Sequence, residues 1–241
     1  IYNEAVGREA YTAEDIQKYK DGSDPDHYAN ARYLDELFSR NGLQTGHDVT
    51  INGGNKQNKY MISFGYLRQN GIIETNDFTR YNARVNVINE LSSKLKLTTR
   101  LSGLSSQRNE PLPAAGDDGD NLLSLISKAV RFPGLTPSIL SDGSFGLGRE
   151  GHGTPYGWVK SGSFLKNPVF SVNANVRLDY QPIKDLVLSA IGAYTYTNGE
   201  SRTYRATMKL SDGRLLGPSN LTHSMGKTTY QSFQSTADYN K

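Results

Sequence analysis

The 241-residue chain has a net charge of +3, no cysteine, 36% hydrophobic residues, 24 glycines and 15 tyrosines. The missing cysteines exclude a disulfide framework, a thiol nucleophile and a cysteine-based metal site. The basic residues are scattered along the chain and form no stripe, so nucleic acid is not an expected partner. The apolar content is low for a soluble domain but sufficient for a membrane barrel, in which only alternate strand residues face lipid.

Residues 1–44 carry signals of short helices. Thr12 is a predicted helix N-cap, and Asp15, three residues later, completes an approximate capping box. Turn-forming residues at 21–26 end this helix. A second short helix is predicted over residues 29–39, with Leu34, Leu37 and Phe38 on one side.

From residue 45 onward the pattern is that of strands, and it is clearest from Phe170 to Tyr180. Even positions are apolar or aromatic, whereas odd positions carry Ser, Asn, Asn, Arg and Asp. This alternation is typical of a strand with one apolar and one polar face. The ten residue steps, at about 3.3 Å each and tilted by about 40°, span about 25 Å, the height of the apolar band of an outer-membrane barrel. A half-buried strand of a soluble sandwich is the alternative.

The order of connection lengths favours the barrel. The predicted connections run short (53–58), medium (71–77), short (90–94), very long (105–167), short (181–185) and long (198–227). Outer-membrane barrels have short periplasmic turns and long extracellular loops, whereas a soluble sandwich has no reason to sort its loops in this way. We therefore predict an all-β fold, an antiparallel transmembrane β-barrel segment with long extracellular loops and short periplasmic turns.

This fold divides the chain into four predicted regions. Residues 1–44 form an extracellular loop region with short helices, and residues 45–104 form early barrel strands. Residues 105–167 form a long extracellular loop, and residues 168–241 form further barrel strands and a loop. A barrel that stopped inside the last predicted strand would expose an unpaired edge, so we expect the chain to be a segment of a longer polypeptide.

Two stretches resemble the early barrel of the SusC-like TonB-dependent transporters. They are residues 53–73, GGNKQNKYMISFGYLRQNGII, and residues 77–86, DFTRYNARVN. The runs YTAEDI and DGSDP, at residues 11–16 and 21–25, also fit that family. The specific similarity covers roughly residues 1–105, and beyond it the likeness is one of pattern.

The resemblance implies an outer-membrane location in a Bacteroidetes-type bacterium and part of a 22-stranded barrel with an N-terminal plug domain. It also implies two protein partners, a SusD-like surface lipoprotein over the extracellular mouth and TonB as the source of energy. The plug and the TonB box are expected to lie outside these residues. The implied function is import of an oligosaccharide without bond cleavage. Import of a peptide by a relative of the same family is the alternative.

Residues that could bind the substrate are found on the polar face of the strands and among the aromatic residues of the long loop. Amide and guanidinium groups can hydrogen-bond sugar hydroxyls or a peptide backbone equally well. Alternatively, these groups only line a wet wall or contact the plug. Loop aromatics could stack on a ligand, or instead pack within the loop or anchor at the membrane interface. The candidates are Arg80, Asn82, Arg84, Asn86, Asn173, Asn175 and Arg177 on the strands, and Tyr156 and Trp158 in the long loop.

No catalytic constellation or cofactor motif is found, so the chain is not expected to be an enzyme. The four histidines, at positions 27, 47, 152 and 223, lack the spacing of paired metal ligands. The acidic residues of 117–120 could bind calcium through clustered oxygens, with a solvated turn as the alternative. A secreted β-rich glycan-binding module or glycan-active enzyme is the competing class. It would need compact loops without a lipid-facing belt, or a convergent carboxylate pair.

Overall fold

The computed structural model describes residues 2–117, 119, 121–148 and 151–240. Seven long strands form one antiparallel sheet in the order β1-β2-β3-β4-β5-β6-β9, and β7 and β8 form a small separate hairpin. The strands are Gln44–Gly54 (β1), Asn58–Asn70 (β2), Asp77–Ser92 (β3), Leu95–Pro111 (β4), Phe164–Ile183 (β5), Leu186–Arg205 (β6), Met208–Lys209 (β7), Leu215–Leu216 (β8) and Asn220–Tyr239 (β9). The helices are Tyr2–Val6 (α1), Ala13–Asp21 (α2), Tyr33–Leu37 (α3), Leu122–Arg131 (α4) and Pro155–Lys160 (α5).

The strand register gives the sheet one apolar and one polar side. Cross-strand partners share a face, because side chains alternate along each strand. One cross-strand row consists of Ile51, Ile62, Val85, Leu101, Ala174 and Tyr194. The neighbouring row, on the opposite face, consists of Thr50, Ser63, Arg84, Ser102, Asn173 and Thr195. The two faces stay chemically distinct from β1 to β6.

The apolar face of the sheet is not covered by any described part of the chain. Ile62 is 46% exposed, Phe64 50% and Phe233 76%. None of the buried hydrophobic side chains in the described residues belongs to the seven long strands. A soluble sandwich would bury this face, so the exposed apolar side favours contact with lipid.

The apolar band crosses the register diagonally. The apolar run of β2 ends, on the loop side, at Tyr66. The cross-strand partner of Tyr66, followed from strand to strand over five pairings, is Lys227 on β9. On the same side of β9, Lys227 is followed by Thr229 and Gln231, and the next apolar residue toward the short turns is Phe233, six residues further along. Six residues at about 3.3 Å each give the shift of the band boundary along the strands, and five strand spacings of about 4.8 Å each give the distance across them. The ratio of the two lengths corresponds to an angle of about 40° between the strands and the normal of the band. Strands of membrane barrels are tilted by about this angle.

Short and long connections lie at opposite ends of the sheet, as predicted. The short turns are residues 55–57, 93–94 and 184–185. The longer connections, 71–76, 112–163 and 206–219, lie at the other end with residues 2–43. Two predicted bounds were wrong, because the strands continue beyond the apolar band. The long loop spans 112–163 and not 105–167, and the connection predicted at 198–227 shortens to 206–219 with the β7–β8 hairpin inside it.

The hydrophobic core of the chain lies in the loops. Leu37 of α3, Ile73 between β2 and β3, Leu125 of α4 and Trp158 of α5 belong to one buried cluster. A second cluster joins Ala114 and the hairpin residue Met208. Full burial of one such side chain contributes about 1.5–3 kcal/mol, so these segments stabilise one another. We call α3, residues 71–76, residues 112–163 and the β7–β8 hairpin the loop cap.

Local helix signals were largely confirmed. The Thr12 hydroxyl accepts from the backbone N–H of Asp15, and the Asp15 carboxylate accepts from the backbone N–H of Thr12. The helix predicted over 29–39 is only the five residues of α3. None of the helices in the described part of the chain has the length and hydrophobicity that a membrane-spanning helix requires.

Candidate functional site: the polar wall and the loop cap

The polar face of the sheet brings several of the predicted residues together. Arg84 pairs with Ser102 and then Asn173 in one cross-strand row, and Asn86 pairs with Arg100 and then Asn175 in the next row. Their side chains line a shallow depression of about 370 Å³. We call this surface the polar wall. Its amides and guanidinium groups present hydrogen-bond donors and acceptors in two adjacent rows.

Arg100 belongs to this surface but was absent from the predicted set. The signal was present in the sequence, because Arg100 alternates with Leu101 on the polar side of β4. Only the register shows that it lies between Asn86 and Asn175. Arg80 is also on the polar face but lies four residues from Arg84 along β3, toward the loops.

Arg177 is separated from the depression by a network of its own. Its Nε donates to Asp179 Oδ1 at 2.6 Å, and its Nη2 donates to Ser189 Oγ at 3.1 Å. The Ser189 hydroxyl donates to the same carboxylate at 2.7 Å, and Lys96 Nζ lies 3.5 Å from Asp179 Oδ2. Arg177 is therefore held at the short-turn end of the wall by an internal carboxylate.

On the polar wall, side chains of the two neighbouring strands come close to the backbone at Gly65. The side chains of Asp48 and Asn82, on the two neighbouring strands, extend over it. A Cβ at position 65 would lie 2.7 Å from both terminal atoms of the Asn82 amide and would also clash with the Asp48 carboxylate. A larger residue at position 65 would therefore have to displace the ends of these two side chains.

The loop cap is organised around the buried carboxylate of Asp117. Its Oδ2 accepts from Trp158 Nε1 at 2.6 Å and from the backbone N–H of Gly153 at 2.9 Å. Its Oδ1 accepts from Lys128 Nζ at 3.1 Å and lies 3.0 Å from His152 Nδ1. The Lys128 ammonium is also 4.4 Å from the centroid of the Trp158 ring. Asp117 thus links α4, α5 and the segment between them.

The two loop aromatics predicted to contact a ligand lie in different environments. Trp158 is 1% exposed and belongs to the core of the loop cap, so a ligand would reach its ring only if the cap rearranged. Tyr156 is partly buried at the edge of that core, with Lys160 Nζ 5.2 Å from its ring centroid. Lys160 also contacts Glu74 at 2.7 Å, and this hydrogen bond raises the pKa of the Lys160 ammonium. A substrate-stacking role for either ring stays a prediction.

The acidic run proposed for calcium is only partly described. Asp118 and Asp120 lie outside the described residues. Both carboxylate oxygens of Asp117 accept hydrogen bonds from other side chains of the protein. The described residues contain no group of three or more acidic or histidine side chains that could hold a metal ion.

No protein-family model matches the chain. It is similar to the TonB-dependent receptor SusC of Bacteroides thetaiotaomicron, with 44% identity over 59 residues, which are 24% of this chain and 6% of SusC. It is also similar to the TonB-dependent receptor P3 of Formosa agariphila, with 22% identity over 215 residues, which are 88% of this chain and 21% of P3.

Solved structures of RagAB share the fold. The RagAB peptide transporter matches with a TM-score of 0.69 and 18% identity, over 97% of this chain and 28% of that one. The RagAB peptide importer in the closed-closed state matches with a TM-score of 0.65 and 22% identity, over 87% of this chain and 23% of that one. The chain therefore spans less than a third of each of these proteins.

These relatives are named as receptors and transporters and not as enzymes, which agrees with the expectation that the chain catalyses no reaction. The sequence matches, the shared fold and the outward apolar face agree with one another. Together they show that the chain is similar to TonB-dependent receptors such as SusC and has the antiparallel fold of a segment of such a barrel.

Proposed function

We propose that the protein imports oligosaccharides across the outer membrane, with energy supplied through TonB and with a SusD-like lipoprotein over its extracellular mouth. The observation that carries this proposal is the opposite chemistry of the two sheet faces. One face is apolar and exposed, and the other presents the polar wall. A sheet of this kind, closed into a barrel, separates lipid from a polar passage.

The chemistry of the polar wall supports a polyhydroxylated substrate. Asn86, Asn173 and Asn175 each supply an amide donor and acceptor, and Arg84 and Arg100 supply only donors. Sugar hydroxyls both donate and accept, so they can pair with this mixture at many positions. Such a wall holds a ligand through several weak contacts, which suits a passage better than a tight site.

Peptide import is the second candidate, and a specific observation favours it. The solved structures that share this fold belong to RagAB, described as a peptide importer and transporter. The same amides and guanidinium groups can bind peptide carbonyl and carboxylate groups. The two candidates differ in the substrate and not in the transport mechanism.

A growth experiment tests the proposal. A deletion strain would be complemented with the whole transporter and grown on a mixed oligosaccharide digest or on a mixed peptide digest as the limiting nutrient. We expect the transporter to restore growth on oligosaccharides, and an Arg84→Gln, Arg100→Gln double variant to slow it. If the protein restored growth on peptides but not on oligosaccharides, its function would be peptide import and not oligosaccharide import.

Membrane residence is tested separately by extraction. A barrel should leave the membrane fraction only with detergent, and its gel migration should change on heating. Release into plain buffer would favour the secreted glycan-binding module over the transporter.

A further inference from the structure

A compact group of cationic and aromatic side chains lies on the outward face of β5 and β6, beyond the apolar band. Lys166 pairs directly with Arg202, and in the adjacent outward row Phe164 pairs with Tyr204. The two rings contact each other with centroids 5.5 Å apart, and Lys166 Nζ lies 4.4 Å from the Phe164 ring centroid. We call these four residues the rim patch.

The rim patch carries more positive than negative charge. Two cations directly opposite each other on neighbouring strands repel, so the arrangement is unfavourable without an anion. Glu200 contacts Arg202 at 2.6 Å and His223 at 3.1 Å. Among the described residues, no carboxylate lies within ion-pair distance of Lys166. The Glu200 carboxylate therefore contacts Arg202 and His223 and does not reach Lys166, so the ammonium of Lys166 is left to an external anion.

The height of the rim patch above the apolar band limits which anion it meets. Lys166 lies four residues beyond Phe170, the last outward aromatic of the band on β5, and Arg202 lies six residues beyond Tyr196 on β6. At about 3.3 Å per residue and a tilt of about 40°, these cations stand about 10 Å and about 15 Å above the band. Phospholipid head groups extend only about 5–8 Å beyond the hydrocarbon. The patch therefore lies above them, at the height of an extended head group.

We propose that the rim patch binds the phosphorylated sugar head group of a glycolipid in the outer leaflet. Lys166 and Arg202 would pair with phosphate, for which a guanidinium group can offer two parallel hydrogen bonds. Phe164 and Tyr204 would contact the sugar rings, since an aromatic face suits the apolar side of a pyranose. A phosphate between Lys166 and Arg202 would also relieve the repulsion between the two cations.

Native mass spectrometry of the whole transporter in detergent tests this proposal. The probes are a glycolipid with phosphorylated core sugars, the same glycolipid after enzymatic removal of phosphate, and phosphatidylglycerol. We expect the phosphorylated glycolipid to bind best. Near a membrane surface each Lys or Arg changes the affinity by about five-fold, so Lys166→Gln with Arg202→Gln should weaken binding by about 25-fold.

Two further variants sharpen the test. Glu200→Gln removes the carboxylate that pairs with Arg202 and should tighten binding, whereas Lys56→Gln, in a short turn at the opposite end of the sheet, should leave it unchanged. Heat-modifiable migration verifies that each variant is folded. Equal binding of the dephosphorylated glycolipid, equal binding of phosphatidylglycerol, or unchanged binding by the folded double variant would each overturn the proposal.

Discussion

The indole Nε1 of Trp158 donates a hydrogen bond of 2.6 Å to the carboxylate of Asp117, although 41 residues separate them in the chain. The same carboxylate accepts from Lys128 and from the backbone N–H of Gly153. One buried anion therefore joins the two helices of the longest connection. A loop of this length stays ordered only if such contacts offset the entropy of fixing it.

Asp117→Ala should loosen the loop cap without unfolding the barrel. The substitution leaves the buried ammonium of Lys128 without this partner, and breaking a buried ion pair costs about 3–5 kcal/mol. We expect faster limited proteolysis within residues 112–163, with unchanged heat-modifiable migration. Asp35→Asn is the matched control, because the ion pair of Asp35 with Arg32 is exposed. Equal protease resistance of the wild type and Asp117→Ala would contradict the role of this carboxylate.

Gly65→Val should destabilise the barrel. The new side chain would have to push aside the ends of the Asn82 and Asp48 side chains on the neighbouring strands, so we expect a cost near the lower end of the range for overpacking, about 1 kcal/mol. Gly192→Val is the control, because a Cβ at the outward-facing Gly192 meets nothing within 4 Å. The heating temperature at which gel migration shifts should fall for Gly65→Val and hold or rise for Gly192→Val. The reverse order would contradict the register.

Alkaline pH should destabilise the loop cap through Tyr33. The buried phenol donates to the backbone carbonyl of Thr136 at 2.6 Å, and burial raises the pKa of Tyr33 above its ordinary value of 10.0. A raised folded-state pKa contributes stability that is fully present below pH 10 and is lost as the pH rises toward the folded-state value. Proteolysis of the cap should therefore accelerate above about pH 10. In Tyr33→Phe this component of the pH dependence should vanish, and its persistence would rule out Tyr33 as the cause.

Arg84→Gln and Arg100→Gln should each weaken substrate binding by about ten-fold, because a hydrogen bond from a charged group contributes about 1.5–3 kcal/mol. Isothermal titration of the full-length protein with the proposed oligosaccharide substrate measures this effect. Lys56→Gln, outside the polar wall, should bind as the wild type does. Unchanged affinity in both arginine variants would mean that these side chains only line the passage.

The strands were predictable within the apolar band because lipid on one side and water on the other impose strict alternation. Beyond the band, strict alternation of apolar and polar residues is no longer required, and outward positions such as Lys166 and Pro168 do not show it. The strands were therefore predicted too short at their loop ends. The start of α5 does carry a local signal, since Thr154 followed by Pro155 is a typical N-cap sequence.

The interior of the loop cap was not predictable from local sequence. The environment of Trp158 depends on Asp117 and Lys128, which lie on distant parts of the connection. A contact between residues so far apart in the chain produces no periodic pattern in the sequence. The position of Arg100 beside Asn175 likewise depends on the pairing of β4 with β5 across a connection of more than fifty residues.

The most direct test of the account compares two adjacent residues of β5. Val176 is 43% exposed on the apolar face, and Asn175 lies on the polar wall. Lysine on the lipid side of a barrel costs about 2–4 kcal/mol near the bilayer midplane, whereas on the inner wall it remains hydrated. The unfolding free energy of the full-length protein in lipid vesicles should therefore fall by this amount for Val176→Lys and by much less for Asn175→Lys. Equal losses, or a larger loss for Asn175→Lys, would contradict the assignment of the apolar face to lipid.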